Sequence, residues 1–197
     1  MKNSFKISIK NGVENSVENS VENRNTILVF VSLLVLVLIS RWASHLWNFT
    51  LVGGAFLFAG AYFQQKRTAA VLMLTAMLMS DFVIGFHNQM LSVYFSYALI
   101  LALGFLLKAN SEELPARFKV FGFSVLGSFA FYAITNFSVW FEGSLYPMTF
   151  SGLMESYVMG IPFYRNQLIS DILFSSLFFE VARAVPQFGF QPASKKI

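Results

Sequence analysis

Six apolar segments, 26–43, 51–63, 69–86, 91–107, 118–141 and 167–185, follow one another with short polar breaks in a chain of 197 residues. That spacing constrains the fold more than any other feature. A helix of about 20 apolar residues crosses the ~30 Å hydrocarbon core of a bilayer with its backbone hydrogen bonds made internally. Charged residues are only 12% of the chain, half the share usual in soluble domains, and Phe occurs 24 times. The expected fold is all-α, an integral membrane bundle of six transmembrane helices, one of them short. A further apolar stretch, 148–161, is bounded by Pro147 and Pro162 and reads as a short re-entrant or surface helix. One membrane domain, 26–185, is thus expected between two polar tails, 1–25 and 186–197.

The first tail repeats Val-Glu-Asn at four-residue spacing (Val13, Val17, Val21). Three Val bury little, so a disordered tail or frayed helix is expected. The first apolar run has the length of a signal peptide. Cleavage after Ala43 would place Arg41 where a small residue is wanted, so a retained helix is the reading. The second run, at ~1.5 Å per residue, gives only ~20 Å of helix. It either starts earlier or sits shielded by its neighbours. Ala55 and Ala59 form a small-xxx-small pair, which admits close approach of another helix. Ordinary packing within the chain and docking of a partner subunit both satisfy that pattern.

Six spans put both termini on one side. With that side cytoplasmic, twelve of the fourteen Lys and Arg lie inside, and only Arg41 and Arg165 lie outside. The positive-inside rule therefore agrees with the helix count. The net charge of +4 is absorbed by this asymmetry and is no nucleic-acid signal.

Chemistry is constrained by what the chain lacks. There is no Cys, which excludes disulfides and thiolate chemistry, and two His are too few for a His-based metal site. Gly-x-Ser-x-Gly, His-Glu-x-x-His and phosphate-loop patterns do not occur. Asp81 and Asp171 lack the Gly-x-Gly-Asp context of intramembrane aspartic proteases. The expectation is a non-enzyme with no cofactor and no metal.

Ionisable groups at membrane depth are costly and so call for a reason. Asp81 falls about thirteen residues into the third span, in its outer half. Asp171 lies just inside the outer start of the sixth, and Asn136 and Trp140 at the outer end of the fifth. Ser124, Ser128, Tyr132, Asn136 and Trp140 recur every fourth residue and form a broad polar face on the fifth span. Each admits a plain structural role: interhelical bonding for the ladder, a cap or buried pair for Asp81, a pair with Arg165 for Asp171. Glu180 and Arg183 read as a surface pair, His87 as solvated, and Glu155 as facing water or closing over a site. Together with the polar stretch 132–171, these residues also fit one wall of a binding site. Asp81, Asn136, Trp140, Asp171, Tyr132, Tyr146 and Asn166 are the candidate solute-binding residues. Asp81, Glu142, Glu155 and Asp171 outnumber Arg41 and Arg165 on the outer side, which favours a neutral or cationic solute.

Two blocks of sequence carry a resemblance that spans about residues 26–185. The first is Trp47-Asn48-Phe49-Thr50, Gly60-Ala61-Tyr62-Phe63 and Ser80-Asp81-Phe82-Val83-Ile84-Gly85-Phe86-His87. The second is Thr135-Asn136-Phe137-Ser138-Val139-Trp140, Tyr146-Pro147, Gly152-Leu153, Ile161-Pro162-Phe163 and Asn166. In this order they resemble a family of small bacterial six-helix membrane proteins described as transport proteins. That family is similar to the substrate-binding S components of energy-coupling-factor (ECF) transporters. The resemblance implies a protein of the bacterial inner membrane, both termini cytoplasmic, that takes a small vitamin-like nutrient from the outer side. It implies a transmembrane coupling subunit with ATPases as partner, docked through Ala55 and Ala59. In S components that pair sits on the first helix; here it sits on the second run. The rival reading is a non-transporting assembly or structural subunit, whose polar residues face another chain.

Overall fold

The second apolar run is the axis of the molecule. In the computed structural model, which describes residues 24–43, 48–63, 65–108 and 115–185, that run forms a helix of eleven residues, Val52–Tyr62. Every residue from Val52 to Ala61 is buried. A helix apolar on all sides cannot sit at a surface facing water and is stable only when enclosed. Here the other helices enclose it.

In chain order the helices are α1 (Arg24–Ala43), α2 (Val52–Tyr62), α3 (Lys66–Ile84), α4 (Met90–Lys108), α5 (Arg117–Glu142) and α6 (Phe150–Ala184). No strand occurs among the described residues. Helix α2 packs against α3, α4, α5 and α6, while α4 touches α3 and α5, and α5 touches α6. Helix α1 joins at Phe30, whose ring lies 6.4 Å from that of Phe63, and at Arg41, which reaches Asp81 and Met77 of α3. Five helices therefore surround a sixth. An apolar groove of about 340 Å³ runs between α1 and α6 over Phe58.

Glycines set the closest approaches. A Cβ on Gly60 would fall 2.2 Å from the Leu101 carbonyl oxygen, and one on Gly104 would fall 2.4 Å from that of Leu57. Helices α2 and α4 thus meet backbone to backbone. Ala55 and Ala59 are wholly buried in this same interior. The expected docking face is therefore covered by the chain's own helices, and the pair serves internal packing.

Four helices, α1, α3, α4 and α5, are long and apolar enough to cross a membrane. Helix α2 is apolar but short, and α6, at 35 residues, is long but carries Glu155, Arg165, Asp171, Glu180 and Arg183. The sequence predicts a break at Pro162 between a short helix and a sixth span. Instead α6 runs without interruption through Pro162, a length of ~52 Å. Proline removes one backbone hydrogen bond and favours a helix boundary before it. Packing outweighs this, because the buried face Gly152, Ser156, Gly160, Gln167, Asp171, Ser175 and Phe179 continues on both sides of the proline.

The polar ladder of α5 faces α6 along its whole length. Ser124 Oγ lies 2.5 Å from Ser175 Oγ, and Ser128 Oγ donates to Asp171 Oδ2 at 2.7 Å. Tyr132 OH donates to the Tyr157 carbonyl at 2.7 Å, and Tyr157 OH returns a bond to the Ala133 carbonyl at 3.0 Å. Asn136 packs onto Gly160, where an added Cβ would come within 2.3 Å of its Oδ1. Trp140 Nε1 lies 3.1 Å from the Pro147 carbonyl and 3.2 Å from that of Thr149, fixing the loop that enters α6. Thr149 then caps α6 by accepting from Gly152 N at 3.2 Å.

At the opposite end of the pair, Glu180 accepts from Arg117 Nε and Nη2 at 2.7 and 3.0 Å, and also from Arg183. The expected Glu180–Arg183 pair is thus present, with a second arginine added. The repeats of the first tail, His45, Trp47 and the residues after 185 lie outside the described residues.

Candidate ligand cavity

The C-terminal ends of α1, α3 and α5 and the N-terminal ends of α2 and α4 meet at one end of the bundle. Arg41 contacts Asp81 there, and Asn88 and Gln89 donate to Glu142 at 2.6 and 2.5 Å. Among these ends lies a cavity of about 420 Å³. Ligand sites span roughly 300–1,000 Å³. All six helices line it: Arg41 from α1, Val52 from α2, Ile84 from α3, Val93 and Tyr97 from α4, Phe131 from α5, Phe163 and Gln167 from α6. Asn48, Thr50 and His87 complete the wall from the connecting segments. Asn48 takes a left-handed backbone conformation (φ 58°) in the turn before α2, which Asn tolerates better than most side chains.

Behind the wall, Asp81 is fully buried and each of its oxygens has a donor. Arg41 Nη2 lies 2.5 Å from Oδ1, and Tyr94 OH lies 2.6 Å from Oδ2. Arg41 Nη1 meets the Met77 thioether at 2.8 Å, a weak acceptor. The carboxylate thus anchors the guanidinium at the edge of the cavity. Asp81 fills the buried-pair role, joining α1, α3 and α4.

Asp171 is buried on the other side of α2. It receives the Ser128 hydroxyl, and the Gly54 backbone N–H is directed at its carboxyl group. Its Oδ1 sits where a Cβ on Gly53 would be, 2.2 Å away. The first N–H groups of a helix have no intrahelical partners. Leu51, at the N-cap of α2, offers no side-chain acceptor, so Asp171 supplies one from another helix. The seam it faces, between α2 and α5, is too narrow for a water molecule. The expected pairing of Asp171 with Arg165 is replaced by these contacts.

Gln167 lies one turn before Asp171 and is 4% exposed. Its side-chain amide is directed at the Asp171 carboxyl, a contact that falls short of a well-formed hydrogen bond.

None of the seven candidate residues from the sequence lines the cavity. Asn136, Trp140 and Tyr132 join α5 to α6; Asp81 and Asp171 stand behind Arg41 and the start of α2. Tyr146 is half-buried in the loop before α6, and Asn166 is half-buried on α6 beside Gln167. Glu155 is exposed, and Glu142 is tied by Asn88 and Gln89. Among the described residues no Asp or Glu side chain lines the cavity. Sequence reasoning missed Arg41, Tyr97 and Gln167. The signal for Arg41 was present, since it is an ionisable side chain at the end of an apolar span. No cluster of three or more metal-ligating His, Asp or Glu side chains occurs among the described residues.

No curated protein and no solved structure matches the chain. Residues 21–192 match the model of a family of unknown function, DUF6580, and the chain belongs to that family.

Proposed function

We propose that this protein is a multi-pass protein of the bacterial inner membrane that binds a small solute from the outer side, in the manner of an ECF S component. The observation that carries the reading is the cavity to which all six helices contribute at one end of the bundle. Two further observations support it. Large apolar side chains such as Val31, Val35, Leu74, Leu78, Phe129 and Leu173 point outward, a surface suited to lipid and not to water. Lys66, Arg67, Arg117, Lys119 and Arg183 belong to the helix ends opposite the cavity. With the basic end cytoplasmic, both termini are inside and the cavity opens outward.

In this reading Arg41, Thr50, Tyr97 and Gln167 meet the solute, and Val52, Val93 and Phe131 enclose its apolar part. Asp81 acts through Arg41, and Asp171 through the first turn of α2. Any coupling subunit with ATPases docks on a surface other than Ala55 and Ala59. The test is native mass spectrometry of the protein extracted gently from its own membranes. The expected result is a retained small molecule that is lost when Val93→Trp fills the cavity. An unliganded, well-folded protein that co-purifies with other membrane subunits would instead support an assembly or structural role.

A further inference from the structure

We propose that the cavity recognises small organic acids, with the Arg41 guanidinium and the Gln167 side-chain amide as donors to the carboxylate. The inference rests on the solute-binding reading and narrows it to a chemical class.

Three observations converge. Arg41 is the one Lys, Arg, Asp or Glu side chain among the described residues of the cavity wall. Asp81 takes one of its N–H groups and a thioether sulfur faces another, while a guanidinium carries five in a planar fork that matches a carboxylate. Second, Gln167 contributes to the same wall, and its buried Nε2 has only the Asp171 carboxyl nearby, without a well-formed hydrogen bond to it. Third, the N-terminus of α2 reaches this wall through Thr50 and Val52; Asp171 faces its Gly54 N–H from the other side, and Leu51 adds no side-chain cap. The first turn of a helix carries the positive end of its dipole. Each of these features turns a donor toward the cavity, while the carboxylates of Asp81 and Asp171 stand behind the wall. Val52, Val93, Phe131 and Phe163 suit a hydrocarbon or aromatic body attached to the acid group.

The test uses the full-length protein in detergent micelles and two matched probe sets: benzoate, benzamide and benzylamine, and hexanoate, hexanamide and hexylamine. Affinity is read from the ligand-induced rise in unfolding temperature and from native mass spectrometry. The acids are expected to bind at least tenfold more tightly than the amides and amines of the same body. The double variant Arg41→Gln/Asp81→Asn replaces the ion pair with a neutral one, and it is expected to lose at least tenfold in acid affinity while retaining the amides. Gln167→Leu keeps side-chain volume and is expected to weaken the acids several-fold. Equal or tighter binding of amides or amines, or unchanged acid affinity in both variants, overturns the inference and leaves the solute-binding reading standing. Binding of none of the six probes, in protein shown to be folded, overturns both.

Discussion

Arg41 Nη2 and Asp81 Oδ1 stand 2.5 Å apart across forty residues of sequence, and this contact fastens the first helix to the third. Removing one partner of a buried ion pair leaves an uncompensated charge, at a cost of about 3–5 kcal/mol. Asp81→Ala and Arg41→Gln should each lower stability by that order. The double variant Arg41→Gln/Asp81→Asn should recover most of the loss. Thermal unfolding of the three purified variants checks this, and additive single-site losses in the double variant would contradict a direct pair.

Asp171 gives the start of α2 its acceptor. Replacing it with Ala orphans the Ser128 hydroxyl and the Gly54 N–H, each a buried donor worth about 1–3 kcal/mol when left unmade. Asp171→Asn retains an acceptor oxygen and should cost less than half as much. Hydrogen exchange at the amides of residues 52–54 should accelerate in the Ala variant and remain near wild type in the Asn variant.

Gly60→Ala drives a methyl group to within 2.2 Å of the Leu101 carbonyl, so α2 and α4 must separate. Overpacking of this kind costs about 1–3 kcal/mol. Gly122→Ala, on the exposed side of α5 with nothing within 4 Å, should instead stabilise by up to about 1 kcal/mol through helix propensity. Unfolding temperatures moving in opposite directions would bear out the asymmetry.

Asn136→Ala and Trp140→Phe remove contacts from α5 to α6 and to the loop before it, and neither residue lines the cavity. Both should accelerate proteolysis within the 143–149 loop, Trp140→Phe more strongly because its indole holds two carbonyls there. Solute affinity in both should stay within about threefold of wild type. A larger loss in either would return these side chains to the ligand.

Much of the helical order was legible because apolar run length and Lys/Arg placement are local properties. The boundaries of α4 and α5 fall within a residue or two of expectation. The four-residue ladder from Ser124 to Trp140 was also legible as a face, though not what it faced. Its partners are Ser175, Asp171, the Tyr157 carbonyl and Gly160 on α6, and the Pro147 and Thr149 carbonyls just before it. Three features were not legible. Small residues at Ala55 and Ala59 announce close approach without saying whether the neighbour belongs to the same chain. Pro162 signals a break by local rules, and only the buried face continuing past it shows why the helix goes on. The cavity itself draws Arg41, Thr50, Tyr97 and Gln167 from four separate places in the chain. No local period or motif links those positions, because their proximity exists only once α2 is surrounded.

The enclosure of α2 also bears on how the chain is made. Helix α2 leaves the ribosome before α4 and α6, is too short to span a bilayer, and owes most of its cover to those two later helices. Until α4 arrives, Gly60 has no backbone to close against; until α6 arrives, Gly53 and Gly54 face no Asp171. The short helix must therefore wait in an unfinished state through most of translation. Its enclosure needs α6, and a chain stopped before α6 carries an open centre.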